Sequence, residues 1–279
     1  MKAGKIVYTI LVILLAAVFF VSGYHVAKYY IESRQQKAHY DDLASIVESI
    51  QNAEAEIETA SPQPTQPDTT QVSPPEDPTT EENTSTEPQI LPEYQPLYDM
   101  NPHLVGWIKI SNTPINYPVM QTPTHQDYYL YRNFDKVRSD RGCIFVREQC
   151  DVFTPSDNLT IYGHNMRDGS MFAGLNRYQS KSFWQENSLV TFDTLYGHHT
   201  YQVFAVFRTT ASVGQGFGYH NFIKATDEAH FNEFIANCKA LSLYDTGITP
   251  VYGDKIICLS TCEYTQVNGR FVVAAVRIS

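Results

Sequence analysis

Between Ile6 and Tyr24 the chain reads IVYTILVILLAAVFFVSGY, without one charged residue. A run of that length crosses the ~30 Å hydrocarbon layer of a bilayer as a helix. Lys2 and Lys5 precede it, and the positive-inside bias keeps them on the cytoplasmic side, so everything beyond Tyr24 is expected to face outward. Tyr24, Tyr29 and Tyr30 suit the far interface. A cleaved signal peptide is the competing reading. The run is longer than a usual signal core and no clean A-x-A site comes after it, so a retained anchor over residues 1–24 is expected, single-pass, with a cytoplasmic N-terminus and an extracellular remainder.

Beyond the anchor the chain changes character twice. Residues 25–58 read as a juxtamembrane helical stalk, polar except for a weak stripe of Leu43, Ile46, Val47 and Ile50. Residues 59–90 are rich in Pro, Thr and Glu, with no lysine, arginine or glycine and Val72 as the one large apolar residue before Ile90; such a segment is expected to be a disordered linker. Neither stretch has a core of its own or a candidate catalytic group, so residues 25–90 are expected to be dispensable for chemistry. The net charge of -10 arises entirely in the first hundred residues, which hold fifteen acids against five bases. The rest is balanced, and nothing in it suggests a nucleic-acid surface.

A folded domain is expected over residues 91–279, led by a short helix in LPEYQPLYDMNPHL. Eight runs rich in β-branched and aromatic residues then read as strands: 105–110, 115–120, 143–146, 159–162, 189–195, 200–207, 255–261 and 271–278. Eight strands without regular intervening helices favour a mainly β, closed or nearly closed antiparallel-type barrel over a parallel α/β sheet. One helix interrupts them. In TDEAHFNEFIANCKALS, Thr226 is placed to cap, and Ala229, Phe231, Phe234, Ile235 and Cys238 form an apolar face.

The segment ICLSTCEYTQVNGRFVVAAV sets Cys262 at the end of one apolar run and Arg270 at the start of the next. If the two runs are antiparallel neighbours, Cys262 and Arg270 face each other across the mouth of the loop, and Asn268-Gly269 tolerates the turn. A guanidinium beside a sulfur favours the thiolate, and it can donate to an oxyanion formed when that thiolate attacks a carbonyl. The proton carrier for such a nucleophile is sought among nine histidines. His164 comes directly after a strand and Gly163, on a strand-end loop where barrels display functional groups, whereas His198 and His199 sit in an ordinary hairpin. The bland alternative makes Cys262 a packed thiol. Metal chemistry is disfavoured, because Cys258 and Cys262 lie ~13 Å apart along one strand and neither C-x-x-C nor H-E-x-x-H occurs. Five cysteines leave at least one unpaired, and a Cys143–Cys150 pair stays open.

LSTCEY with GRFVVAAV after it, YGHNMRDGSMF upstream, and GWIKISNTPINYPVMQ with DYYLYRNF before it resemble the sortases, more narrowly class B, over most of residues 100–279. The resemblance implies an eight-stranded β-barrel with an added helix before the penultimate strand, and a Gram-positive cell-surface cysteine transpeptidase acting without cofactor or metal. Carried over by position, Cys262 is the nucleophile, His164 the general acid/base and Arg270 the oxyanion stabiliser, while Leu130, Ser260, Thr261 and Glu263 line the groove for the substrate. The implied partners are surface proteins with a C-terminal sorting signal, cleaved at a Thr-X bond, and a cell-wall precursor or pilin amine as acceptor. The chain departs from some class B members at Tyr264, where they carry an acid, and in its shorter loop before the arginine. The rival from another class is a non-catalytic, surface-displayed β-barrel binding module.

Overall fold

The computed structural model describes residues 2–60, 89–212, 214–265 and 267–279. Helix α1 (Lys2–Ala60) opens the chain. Its large apolar side chains from Ile6 to Val26 are all exposed, and this stretch is long and apolar enough to cross a membrane. The chain divides into two compact units, residues 1–45 and 46–279. The linker expected over 59–90 lies, for residues 61–88, outside the described residues.

Within the second unit, the last turns of α1 are not bare stalk. Val47 is buried, Glu48 pairs with Lys109 at 3.4 Å, and Gln51 donates to Glu93 at 3.1 Å. Helix α2 (Gln95–Met100) is next, then β1 (Leu104–Lys109), β2 (Asn116–Met120), β3 (Ile144–Val146) and β4 (Asn158–Tyr162). Helix α3 (Lys181–Glu186), β5 (Leu189–Thr194) and β6 (Thr200–Thr210) come after them. Helix α4 (Glu228–Leu241), β7 (Ile256–Glu263) and β8 (Gly269–Arg277) complete the chain. All eight expected strands form, most within one or two residues of their expected ends. The N-cap of α4 is Asp227 rather than Thr226: its carboxylate accepts from the His230 N–H at 2.9 Å, a stronger cap than a hydroxyl because it is charged.

The strands close in the order β1-β2-β3-β4-β7-β8-β6-β5. The barrel is mixed rather than purely antiparallel, because β2·β3 and β4·β7 are parallel pairs. The β4·β7 pair is what places the site. Parallel neighbours finish at the same rim, so the chain leaving β4 and the end of β7 emerge side by side.

Both faces of β7 are buried. Ile257 and Leu259 are wholly buried, and the alternate residues Ile256 and Cys258 join a second cluster with Ala205 and Phe207 of β6, Val272 and Ala274 of β8, and Phe231, Phe234, Ile235 and Cys238 of α4. Phe222 stacks on Phe234 with centroids 4.0 Å apart. Helix α4 therefore covers the outer face of β6, β8 and β7. All five cysteines are free thiols, and burial pushes those of Cys150, Cys238 and Cys258 upward, which keeps them protonated and inert.

Candidate active site

Side chains alternate along a strand, so Ser260 and Cys262 continue the face that Ile256 and Cys258 present to α4. Across β8, Cys262 is paired with Arg270, and across β6 Arg270 is paired with Thr209. On the other side, Tyr162 of β4 is in register with Ser260. His164 and Cys262 each lie two residues beyond that pair. Register alone thus sets His164, Cys262 and Arg270 in one row across β4, β7 and β8 at a common rim.

The loop after β4 is fastened to β7. Gly163 N–H donates to the Ser260 carbonyl at 3.1 Å, Thr261 Oγ1 donates to the Gly163 carbonyl at 2.7 Å, and Asn165 Nδ2 donates to the Cys262 carbonyl at 2.9 Å. Gly163 has no room for a side chain: a Cβ there would lie 2.5 Å from Ile144 Cδ1 and 2.7 Å from the Phe172 ring. His164 Nε2 meets the Leu130 carbonyl at 2.7 Å, and a carbonyl only accepts, so Nε2 carries the proton and Nδ1 is the basic nitrogen of the neutral ring. The Tyr131 ring lies 5.7 Å from that imidazole.

Arg270 is held on one arm. Its Nη1 donates to the Gly269 carbonyl at 3.0 Å and to the Asn268 carbonyl at 3.3 Å, with Asn268 in the left-handed region at φ 52°. The loop between β7 and β8 therefore orients the guanidinium and leaves its remaining N–H groups for a ligand.

A cavity of about 270 Å³ is bordered by Leu130, His164, Ser260, Thr261, Cys262 and Arg270, with Asp127, Arg147, Tyr219 and His220 also on its walls. Cys262 is the one cysteine that is not buried. Glu263, expected beside these residues, is not on the cavity. It sits one residue further along β7 and so faces the other way, where its carboxylate accepts from Thr265 Oγ1 at 2.8 Å and lies 3.9 Å from Arg208 Nε. Thr261 borders the cavity but commits its hydroxyl to Gly163, and Ser260 Oγ is within 2.6 Å of Tyr219 OH.

Two guanidiniums set the local field. Burial, then Arg147 and Arg270, lower the pKa of His220 and keep it neutral. Burial pushes the Tyr219 hydroxyl up to about 12, against the Ser260 hydrogen bond and the same two arginines, which pull it down. Burial and the nearby Glu148 raise the Asp127 carboxyl, with Arg147 and Arg270 opposing. The site is thus suited to hold negative charge that develops on a substrate oxygen.

The sequence matches the Sortase domain family model over residues 108–278. The chain belongs to the sortase family, class B. Among curated proteins, sortase B of Staphylococcus aureus is 28% identical over 96% of this chain and 95% of its own length. Sortase B of Listeria monocytogenes is 31% identical over 68% of this chain and 76% of its own. A solved Staphylococcus aureus sortase B-substrate complex superposes with a TM-score of 0.71 at 26% identity, covering 89% of this chain and 99% of that one.

Residues of this sortase that sequence reasoning did not single out are Asn165, Tyr219, His220, Asp127 and Arg147. Asn165 stands directly after His164 in YGHNM, and that adjacency was the available signal. Tyr219 and His220 come from the segment between β6 and α4, which carries no pattern that points to the cavity. Tyr264 donates its hydroxyl to the Asn165 carbonyl at 3.1 Å.

Proposed function

We propose that this chain is a cell-surface cysteine transpeptidase, held in the membrane by the apolar part of α1 with its barrel outside the cell. The Cys262 thiolate attacks the carbonyl carbon of a threonine in a C-terminal sorting signal. The oxyanion of the tetrahedral intermediate takes hydrogen bonds from the Arg270 N–H groups left free by the loop. Protonated His164 gives its Nδ1 proton to the departing amine, the C–N bond breaks, and a threonyl thioester remains on Cys262. An amine of a cell-wall precursor then attacks the thioester, neutral His164 takes its proton, and the thiolate leaves. Every proton and electron pair is accounted for by these residues and the two substrates.

The observation that supports this most is the row made by β4, β7 and β8, which brings an imidazole, the one unburied thiol and an oriented guanidinium to a single cavity. That a similar Staphylococcus aureus sortase B has been solved as a substrate complex supports a substrate-binding role for this fold. Leu130 on the cavity wall supports a contact with the signal, whereas Ser260 and Thr261 are buried with their hydroxyls on Tyr219 and Gly163, and Glu263 faces away from the cavity. A pilin amine would serve the same chemistry as acceptor. The test is Cys262→Ala in a peptide-cleavage assay with trapping of the thioester. Loss of both signals with the fold retained is expected, and cleavage that survives the substitution would sink the mechanism. Selective labelling of Cys262 by a methanethiosulfonate separates this reading from a non-catalytic binding module, in which the thiol would stay unlabelled.

A further inference from the structure

In a parallel ladder, successive rungs from one strand reach carbonyls two residues apart on the other. Gly163 N–H to the Ser260 carbonyl is the last such rung between the β4 chain and β7. The next would run from the Asn165 main-chain N–H to the Cys262 carbonyl. That carbonyl is met instead by the side chain of the same residue, Asn165 Nδ2, at 2.9 Å. The Asn165 main chain has turned aside, bridging Met171 and accepting from Tyr264 OH.

Replacing a main-chain donor by a side-chain amide moves the backbone at 164–165 away from β7 by the reach of that side chain. This opens the space in which the imidazole sits between the Leu130 carbonyl and the thiol rim. The amide is not free to turn over. Asn176 Nδ2 donates to Asn165 Oδ1 at 3.1 Å and to the Ala173 carbonyl at 3.1 Å, so Nδ2 is the end directed at Cys262.

We propose that Asn165 is a positioning residue for acyl transfer: its amide completes the ladder beyond the end of β4, fixes the Cys262 main chain, and spaces His164 from it, with Asn176 orienting the amide. The inference rests on the proposed roles of Cys262 as nucleophile and His164 as acid/base. Loss of this spacer leaves the Gly163 and Thr261 bonds in place, so the barrel persists while the imidazole and thiol lose their mutual alignment. Misplacement of about 1 Å at a reacting pair costs ~10²-fold in rate.

The experiment uses the full chain in detergent micelles, a threonine-containing sorting-signal peptide turned over by the unmodified protein, and a methanethiosulfonate as thiol probe. Asn165→Ala should lower kcat by ~10²-fold with KM within about twofold, and should slow Cys262 labelling at neutral pH, with a cooperative melt retained. Asn165→Asp keeps the shape but turns an acceptor toward the Cys262 carbonyl, and should behave like the alanine variant. Asn176→Ala, which frees the amide to rotate, should fall between these and the unmodified chain. Rates within twofold of unmodified in Asn165→Ala, a rate loss that only tracks the unfolded fraction, or rescue by Asn165→Asp would each overturn the proposal. Cleavage surviving Cys262→Ala would instead overturn the acyl-transfer mechanism, and the labelling rates, which need only the thiol and its imidazole, would still decide the placement of Asn165.

Discussion

Gly163 offers the sharpest steric test of how the site is built. Its φ is ordinary, so Gly163→Ala adds no backbone strain, and the whole effect is one methyl group pressed against two neighbours. That methyl would stand 2.5 Å from Ile144 Cδ1 and 2.7–2.8 Å from two atoms of the Phe172 ring, and both side chains are completely buried. Carbon atoms rest about 3.5–4.0 Å apart, so each contact must open by roughly 1 Å. Neither neighbour has free volume to retreat into, and overpacking of this kind costs about 1–3 kcal/mol. For a folded unit of this size each kcal/mol lowers Tm by roughly 2–4 °C, so a fall of about 2–12 °C is expected in a thermal melt. The alternative to displacing the core is to lift the loop off β7, which lengthens the Gly163–Ser260 and Thr261–Gly163 bonds and carries His164 with it. The rate should therefore fall further than the melt implies, with kcat/KM reduced at a temperature where the variant is fully folded. A variant with unchanged Tm and unchanged kcat/KM would refute the claim that the tight approach at Gly163 seats the imidazole.

Arg270→Lys should be nearly as damaging as Arg270→Ala, each costing ~10²–10³ in kcat, because a flexible ammonium lacks the fixed planar fork that anchors one arm on the loop and aims the other donors at the oxyanion; near-normal kcat/KM in the lysine variant would rule out the oxyanion role. Cys258→Ala should lower Tm and spare activity, since Cys258 is packed between the barrel and α4 and its thiol is held protonated by burial. Burial lowers the pKa of His198, but the hydrogen bond to Asp193 and the charges of Asp193, Glu93 and Glu54 outweigh it and raise the net value. Its stabilising contribution is therefore complete below the unfolded value of about 6.5 and lost as pH rises through the folded value, so His198→Ala should lower Tm more at pH 5.5 than at pH 8.5. A chain beginning at Leu91 should retain cleavage but melt at a lower temperature, because it lacks the Val47, Glu48 and Gln51 contacts; loss of activity in a well-folded truncation would show that α1 is needed for chemistry.

The strands were legible because each is a run of β-branched and aromatic residues bounded by turn formers, and the hairpin around His198 and His199 formed as its spacing suggested. The pairing of Cys262 with Arg270 was legible for the same reason: β7 and β8 are adjacent in sequence, and a short loop between them sets register. The parallel contacts β2·β3 and β4·β7 were not, since no local signal records which distant strand lies alongside. The facing of Glu263 comes from alternation along β7, yet which parity looks into the cavity depends on where α4 lies, and α4 is held there by tertiary contacts. The docking of the last turns of α1 was hidden for a related reason, because the weak apolar stripe there needs a barrel face to meet.

The dependence on β4·β7 has a temporal consequence. The bonds that set His164 beside Cys262 join residues 97 and 98 positions apart in the chain, so a long loop must close before the row exists. Hairpins such as β5–β6 and β7–β8 can form from nearby residues, but the imidazole and the thiol come to one cavity only when distant halves of the domain come together. A chain that is still folding has Cys262 without the imidazole and guanidinium that the closed barrel brings to the same cavity. On the proposed mechanism, acyl transfer is thereby confined to molecules whose barrel has closed.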